Sequence, residues 1–102
     1  MDLKALEKML ERDSDNPMLH YTIGALFLKE GSPEQAVDHL QKAVVLNSTH
    51  SASWKLYGKA LTKLDRLEQA AKAYKKGITV AESLGDIQAA KEMKVFVKRL
   101  KI

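Results

Sequence analysis

Three histidines, a set of carboxylates and a run of lysines are the side chains here that could do chemistry. Their spacing decides what is open to them. His20, His39 and His50 never stand at i and i+4, so no helical turn offers two imidazoles to one metal ion, and there is no cysteine to complete a site. Acidic pairs such as Asp13/Asp15 fall in a stretch that reads as a turn between helices, where capping is their natural work. No GxSxG, HExxH, P-loop or GxGxxG pattern occurs. No catalytic, cofactor-binding or metal-binding residue is expected, no cofactor is implied, and the chain reads as a non-enzyme.

The lysines are more informative. Lys55, Lys59 and Lys63 recur every four residues and form one column drifting slowly around a helix. Lys72, Lys75 and Lys76 form a second group, and Lys91, Lys94, Lys98, Arg99 and Lys101 a third. Residues 1–50 carry five Lys/Arg against eight Asp/Glu, a balance of −3; residues 51–102 carry twelve against five, a balance of +7, which together give the net +4. A charge dipole of this kind steers an acidic partner toward the C-terminal half. Phosphate binding is the competing use of the same charge. Helix packing takes up the aromatics in this reading, which leaves no base-stacking platform, so nucleic acid is not the expected partner.

The elements that position these side chains are helical. Val and Ile fall in three- and four-residue spacing, and no Asn-Gly or Asp-Gly hairpin turn is present. Asp2 caps a first helix to about Arg12, with Leu3, Leu6 and Leu10 on one face. Asn16-Pro17 opens a second, which Gly31 closes. Ser32-Pro33-Glu34-Gln35 predicts a capping box, with Gln35 reaching back to the Ser32 amide, at the start of a third helix running to about Leu46. The polar stretch from Asn47 to His50 precedes a fourth. Asp65 with Glu68 predicts the start of a fifth, and Leu84-Gly85-Asp86 ends it and begins a sixth that reaches nearly to Ile102. No apolar run approaches a membrane span, and the N-terminal stretch lacks the apolar core of a signal peptide, so a soluble cytoplasmic protein is expected.

Two of these helix pairs are copies. A 34-residue offset (residue 24 onto 58) lays Ile23 on Tyr57, Gly24 on Gly58, Phe27 on Leu61, Ala36 on Ala70, Leu40 on Tyr74 and Ala43 on Gly77. Small positions stay small and large apolar ones stay large, without a gap. Glycine inside a helix costs about 1 kcal/mol against alanine. A repeated glycine therefore predicts a close helix–helix approach, with Gly58 facing Ala70 and with Trp54, Tyr57, Leu61 and Tyr74 filling the space around it.

At these residues the chain resembles the tetratricopeptide repeat (TPR) family, whose helix-turn-helix unit is 34 residues long. Trp54, Tyr57, Gly58, Leu61, Ala70, Tyr74 and Gly77 match its signature in one copy, and Gly24, Phe27, Ala36, Leu40 and Ala43 in the other. His20 replaces the usual tryptophan and reads as a packing residue. Ser48 and Glu82 stand where proline is common, so the helix ends there run on or fray differently. The resemblance implies a right-handed α-α superhelix: an N-terminal capping helix in 1–16, units at 17–50 and 51–84, and a C-terminal capping helix in 85–102. The whole chain also looks like the small stand-alone TPR proteins of bacteria.

In that family the first helices of successive units line a concave groove that binds protein segments. Carried onto this sequence, the lining is Met18, Tyr21, Ala25 and Leu28, then Lys55, Lys59, Thr62 and Lys63, then Met93, Phe96 and Val97. The expected ligand has carboxylates for the lysine column and apolar anchors for Tyr21, Met93 and Phe96. The chaperone-tail clamp of lysine, asparagine and arginine is not expected, since its positions hold Tyr21, Ala25, Leu56, Asp86 and Ala90. Self-association, a homodimer formed through an apolar outer face of the last helix, and weak nucleic-acid binding through the basic half are the alternatives.

Overall fold

Helices form where the sequence punctuates itself. The structure, a computed structural model, describes residues 2–102. It contains α1 (Leu3–Arg12), α2 (Pro17–Lys29), α3 (Pro33–Leu46), α4 (Ser51–Lys63), α5 (Leu67–Ser83) and α6 (Ile87–Leu100), with no strand among the described residues. Three N-termini are held by the side chains a helix start needs. Asp2 accepts from the Lys4 amide at 3.1 Å, Asn16 from the Met18 and Leu19 amides at 3.0 and 3.1 Å, and Asp86 from the Ala89 amide at 3.2 Å. Ser32 makes no side-chain cap, so the expected capping box is absent and Pro33 alone marks that start.

Asp65 does not begin α5; it ends α4. Its φ of 60° matches Gly31 at 79° and Gly85 at 77°, and the turn after each of α2, α4 and α5 is built alike. The amide three places beyond the helix reaches back to a last-turn carbonyl: Ser32 to Phe27 at 2.8 Å, Arg66 to Leu61 at 3.0 Å and Asp86 to Ala81 at 2.8 Å. This Schellman closure needs a left-handed residue, where glycine is unstrained and aspartate is tolerated at some cost. Asp65→Gly is therefore expected to stabilise the protein by about 0.5 kcal/mol, raising the melting temperature by a few degrees. A lower melting temperature would count against this assignment. At the two positions without proline, Glu82 lies inside α5, which runs on to Ser83, whereas Ser48 lies in the α3–α4 loop.

The six helices stack as an all-α repeat. α2 packs with α3 and α4 with α5; α3 bridges the two pairs to α4, and α6 closes on α5. α2, α4 and α6 also touch in succession and share one face, whereas α3 and α5 make no contact with each other. The main core runs from Ala36, Val37 and Leu40 through Ala60, Leu61, Ala70, Ala73 and Tyr74 to Ala90 and Met93. A smaller cluster joins Leu6 of α1 to Leu19 and Ile23 of α2.

The 34-residue offset is visible in the contacts. A Cβ on Gly24 would lie 2.6 Å from Cγ of Leu40, and one on Gly58 would clash with the edge of the Tyr74 ring, the same pair in the second copy. Ala70 is fully buried, and the group nearest to Gly58 is the Tyr74 ring; in the first copy the Ala36 carbonyl oxygen also lies 3.4 Å from a Cβ on Gly24. Gly77 repeats the device between α5 and α6. A Cβ there would be 2.5 Å from the Met93 sulfur and 2.8 Å from Cβ of Trp54. Trp54 is fixed in turn by its indole N–H, which donates to the Ser48 carbonyl at 2.9 Å.

Candidate ligand groove

The face shared by α2, α4 and α6 carries most of the residues singled out from sequence. Tyr21, Ala25 and Leu28 are half-buried along α2, with the Tyr21 ring edge-on to His50 at 4.9 Å. Met18 is 55% exposed at the start of that helix. On α4 the lysine column divides. Lys55 lies 3.4 Å from the Glu92 carboxylate of α6, Lys59 stands over the Phe96 ring with Nζ 5.1 Å from its centroid, and Lys63 is exposed. Arg99 approaches the same ring, its Cζ 6.0 Å from the centroid. Phe96 is seated on Tyr74 at 5.5 Å between centroids.

Lys59, Thr62, Lys63 and Tyr74 enclose a cleft of about 430 Å³. Among the described residues neither Lys59 nor Lys63 pairs with a carboxylate, so the positive potential there is uncompensated. The Thr62 hydroxyl donates to the Gly58 carbonyl at 2.8 Å, which leaves its oxygen as an acceptor. Burial pushes the Tyr74 phenol above its ordinary 10.0, with the Thr62 hydrogen bond opposing. The phenol thus stays protonated and adds no negative charge beside the lysines.

Met93 does not line this groove. It is fully buried with its sulfur over Gly77, because α6 needs a large apolar residue where α5 has none. Phe96 and Val97 are half-buried and remain at the groove. Glu92 was not foreseen as part of the site. It occupies the place that Gly58 holds in the preceding copy, and a carboxylate there is the signal that a counter-ion for Lys55 had replaced close packing.

The outer face of α6 is mixed: Lys91, Lys94 and Lys98 are exposed there, and so are Ile87 at 64% and Val95 at 44%. Lys94 pairs with Glu82 at 2.9 Å, both more than half exposed. Such surface pairs contribute at most about 1 kcal/mol. On α5, Lys72 and Lys76 border a shallow cleft of about 230 Å³ floored by Trp54 and Tyr57, so the aromatics are not wholly enclosed by packing. Among the described residues, no helix is long and apolar enough to cross a membrane.

The family model of the anaphase-promoting complex, cyclosome, subunit 3 matches residues 3–77. A TPR repeat-containing protein of Pseudomonas aeruginosa is 41% identical over 98% of this chain and 95% of its own length. The chain belongs to the tetratricopeptide repeat family. A protein of Bordetella parapertussis with a solution structure is similar over 99% of this chain and 88% of its own, at 34% identity and a TM-score of 0.83. The TPR2B domain of yeast Sti1, solved as its pHsp70 complex, matches 97% of this chain and 79% of its own, at 15% identity and a TM-score of 0.89. That last likeness concerns the fold of the repeat stack.

Proposed function

We propose that this TPR protein is a non-catalytic interaction module. Its α2/α4/α6 face, the side that curves inward in the family, takes an extended or helical segment of a partner protein. Support for an interaction module comes from the family and from the Sti1 relative, whose structure is a complex. Two units, residues 17–50 and 51–84, present the groove between caps at 1–16 and 85–102, and the protein acts in the cytoplasm. Tyr21, Ala25 and Leu28 serve as apolar contacts at one end. At the other, Lys59 over Phe96 and the exposed Lys63 take the ligand's carboxylates, with Lys55 beside them paired to Glu92.

The observation that carries the reading is the cleft of Lys59, Lys63, Thr62 and Tyr74 beside Phe96, with Arg99 over the same ring: unpaired cations around an apolar floor. That chemistry fits a segment with clustered carboxylates next to an aromatic or aliphatic side chain. The residues of the chaperone-tail clamp are absent, so the segment differs from those tails. Affinity in the micromolar range, about 8 kcal/mol, is expected of a short groove that orders a flexible ligand. A homodimer through α6 is the second reading, favoured by the exposed Ile87 and Val95 and opposed by the lysines around them.

A fluorescent peptide array with increasing numbers of glutamates around one Leu or Phe tests this. Affinity should rise with carboxylate number and fall about tenfold or more in Lys59→Glu/Lys63→Glu, while Lys72→Glu/Lys76→Glu on α5 leaves it unchanged. Equal binding by the first variant and wild type would remove the groove from the account. Selective loss in the second variant would move binding to the Trp54–Tyr57 side and its anionic ligands.

A further inference from the structure

His20 and His39 take no part in that groove. His20, on α2, is only 2% exposed, and both of its ring nitrogens are engaged. Nε2 lies 2.8 Å from the Ser14 carbonyl oxygen, and Nδ1 lies 3.1 Å from Nδ1 of His39 on α3. A carbonyl only accepts, so Nε2 of His20 carries a proton and donates it. In the neutral pair Nδ1 of His20 is then the acceptor and Nδ1–H of His39 the donor. A first added proton goes to the other nitrogen of His39 and leaves this bond intact. A second finds no place, because two N–H groups would point at each other across 3.1 Å.

The surroundings keep the contact tight. Phe27 stacks on His39 at 5.8 Å with the rings 21° apart. Burial lowers the pKa of His39 below 6.5; His20 and Lys42 act in the same sense, while Glu7 of α1 and Asp38 of α3 oppose. Asp15 and Lys42 border the cleft in which His20 lies. The element most exposed to this chemistry is α1. It packs on α2 alone, whereas α3 to α6 each pack on two helices or more. Its turn is tied down by the His20–Ser14 bond, so opening there disturbs the fewest contacts.

We propose that the His20–His39 pair is a single-proton latch, which holds α1 and its turn closed at neutral pH and lets them swing open in mild acid. An imidazole released by opening titrates near 6.5, so one pH unit lower it is protonated about ten to one. The folded pair lacks room for that second proton. Stability of the closed form is therefore full above pH 6.5 and declines as the pH falls below it. Opening uncovers the apolar side of α2 around Leu19 and Ile23.

Hydrogen exchange on the full chain, corrected for intrinsic rates, decides the matter. Between about pH 7.5 and about pH 5.5, protection of the α1 amides should fall about tenfold while α5 keeps its own. In His39→Gln the amide can donate to neutral His20 or turn its oxygen to the protonated ring, so the closed form takes the second proton and the acid response should vanish. The latch is overturned by an unchanged α1, by an equal fall in α5, or by the same fall in His39→Gln. Nitrogen chemical shifts of the wild type give a second readout. At neutral pH His20 should carry its proton on Nε2, and the Nδ1–H tautomer would refute the latch without any variant.

Discussion

Gly58→Leu is expected to lower stability by about 3 kcal/mol and the melting temperature by about 12–24 °C. The first added carbon would clash with the edge of the Tyr74 ring. Tyr74 has little room to yield, being 2% exposed and packed against Phe96. Leucine improves helix propensity by nearly 1 kcal/mol, but overlap with a pinned ring outweighs that gain. The mechanism makes a second, sharper prediction. Gly58→Ala should be harmful in the wild type and close to neutral in a Tyr74→Ala background, because the clash disappears with the ring. A double-mutant cycle by urea denaturation measures that coupling. Additive effects, or a Gly58→Leu protein that melts like wild type, would discard the close approach.

Met93→Ala has an expected effect of similar size, a loss of about 2–5 kcal/mol. Met93 is fully buried, and its sulfur and methyl group occupy the space that Gly77 leaves open on α5. Removing them opens a cavity between α5 and α6, with Trp54 as the neighbouring wall. α6 is terminal and packs only on α4 and α5, so the loss should appear first as local opening of residues 87–100 in hydrogen exchange. The proposed ligand cleft has Phe96, Arg99 and Glu92 of this helix beside it. Peptide affinity should therefore fall in parallel, although Met93 is buried away from the proposed cleft. If α6 protection is retained, the sulfur–glycine contact is not what seats the cap.

These two outcomes connect packing to function. The same α6 that closes the core also brings an aromatic ring and a second cation to the lysines of α4. Glu92 neutralises Lys55 from the same helix, so the potential is concentrated toward Lys59 and Lys63. The groove is therefore not a uniform cationic ladder; its charge is graded along α4.

Much of this was legible in the chain itself. Proline after Asn16 and after Ser32, glycine at 31 and 85 and the 34-residue register of Gly24 with Gly58 all act locally or through a fixed period, so element order and the all-α repeat follow from residue type and spacing alone. Asp65 was misplaced because an aspartate before a helix and an aspartate in a left-handed turn look alike in sequence; only φ tells them apart. What covers Gly58, whether Met93 points to ligand or core, and how Lys55 meets Glu92 depend on how one helix is rotated against another. The two histidines stand on different helices, and no spacing rule joins them. Each is set by a contact between distant segments, and such contacts are decided by the packing of the whole stack, since rotating a helix about its axis changes every neighbour it meets while leaving its own pattern untouched.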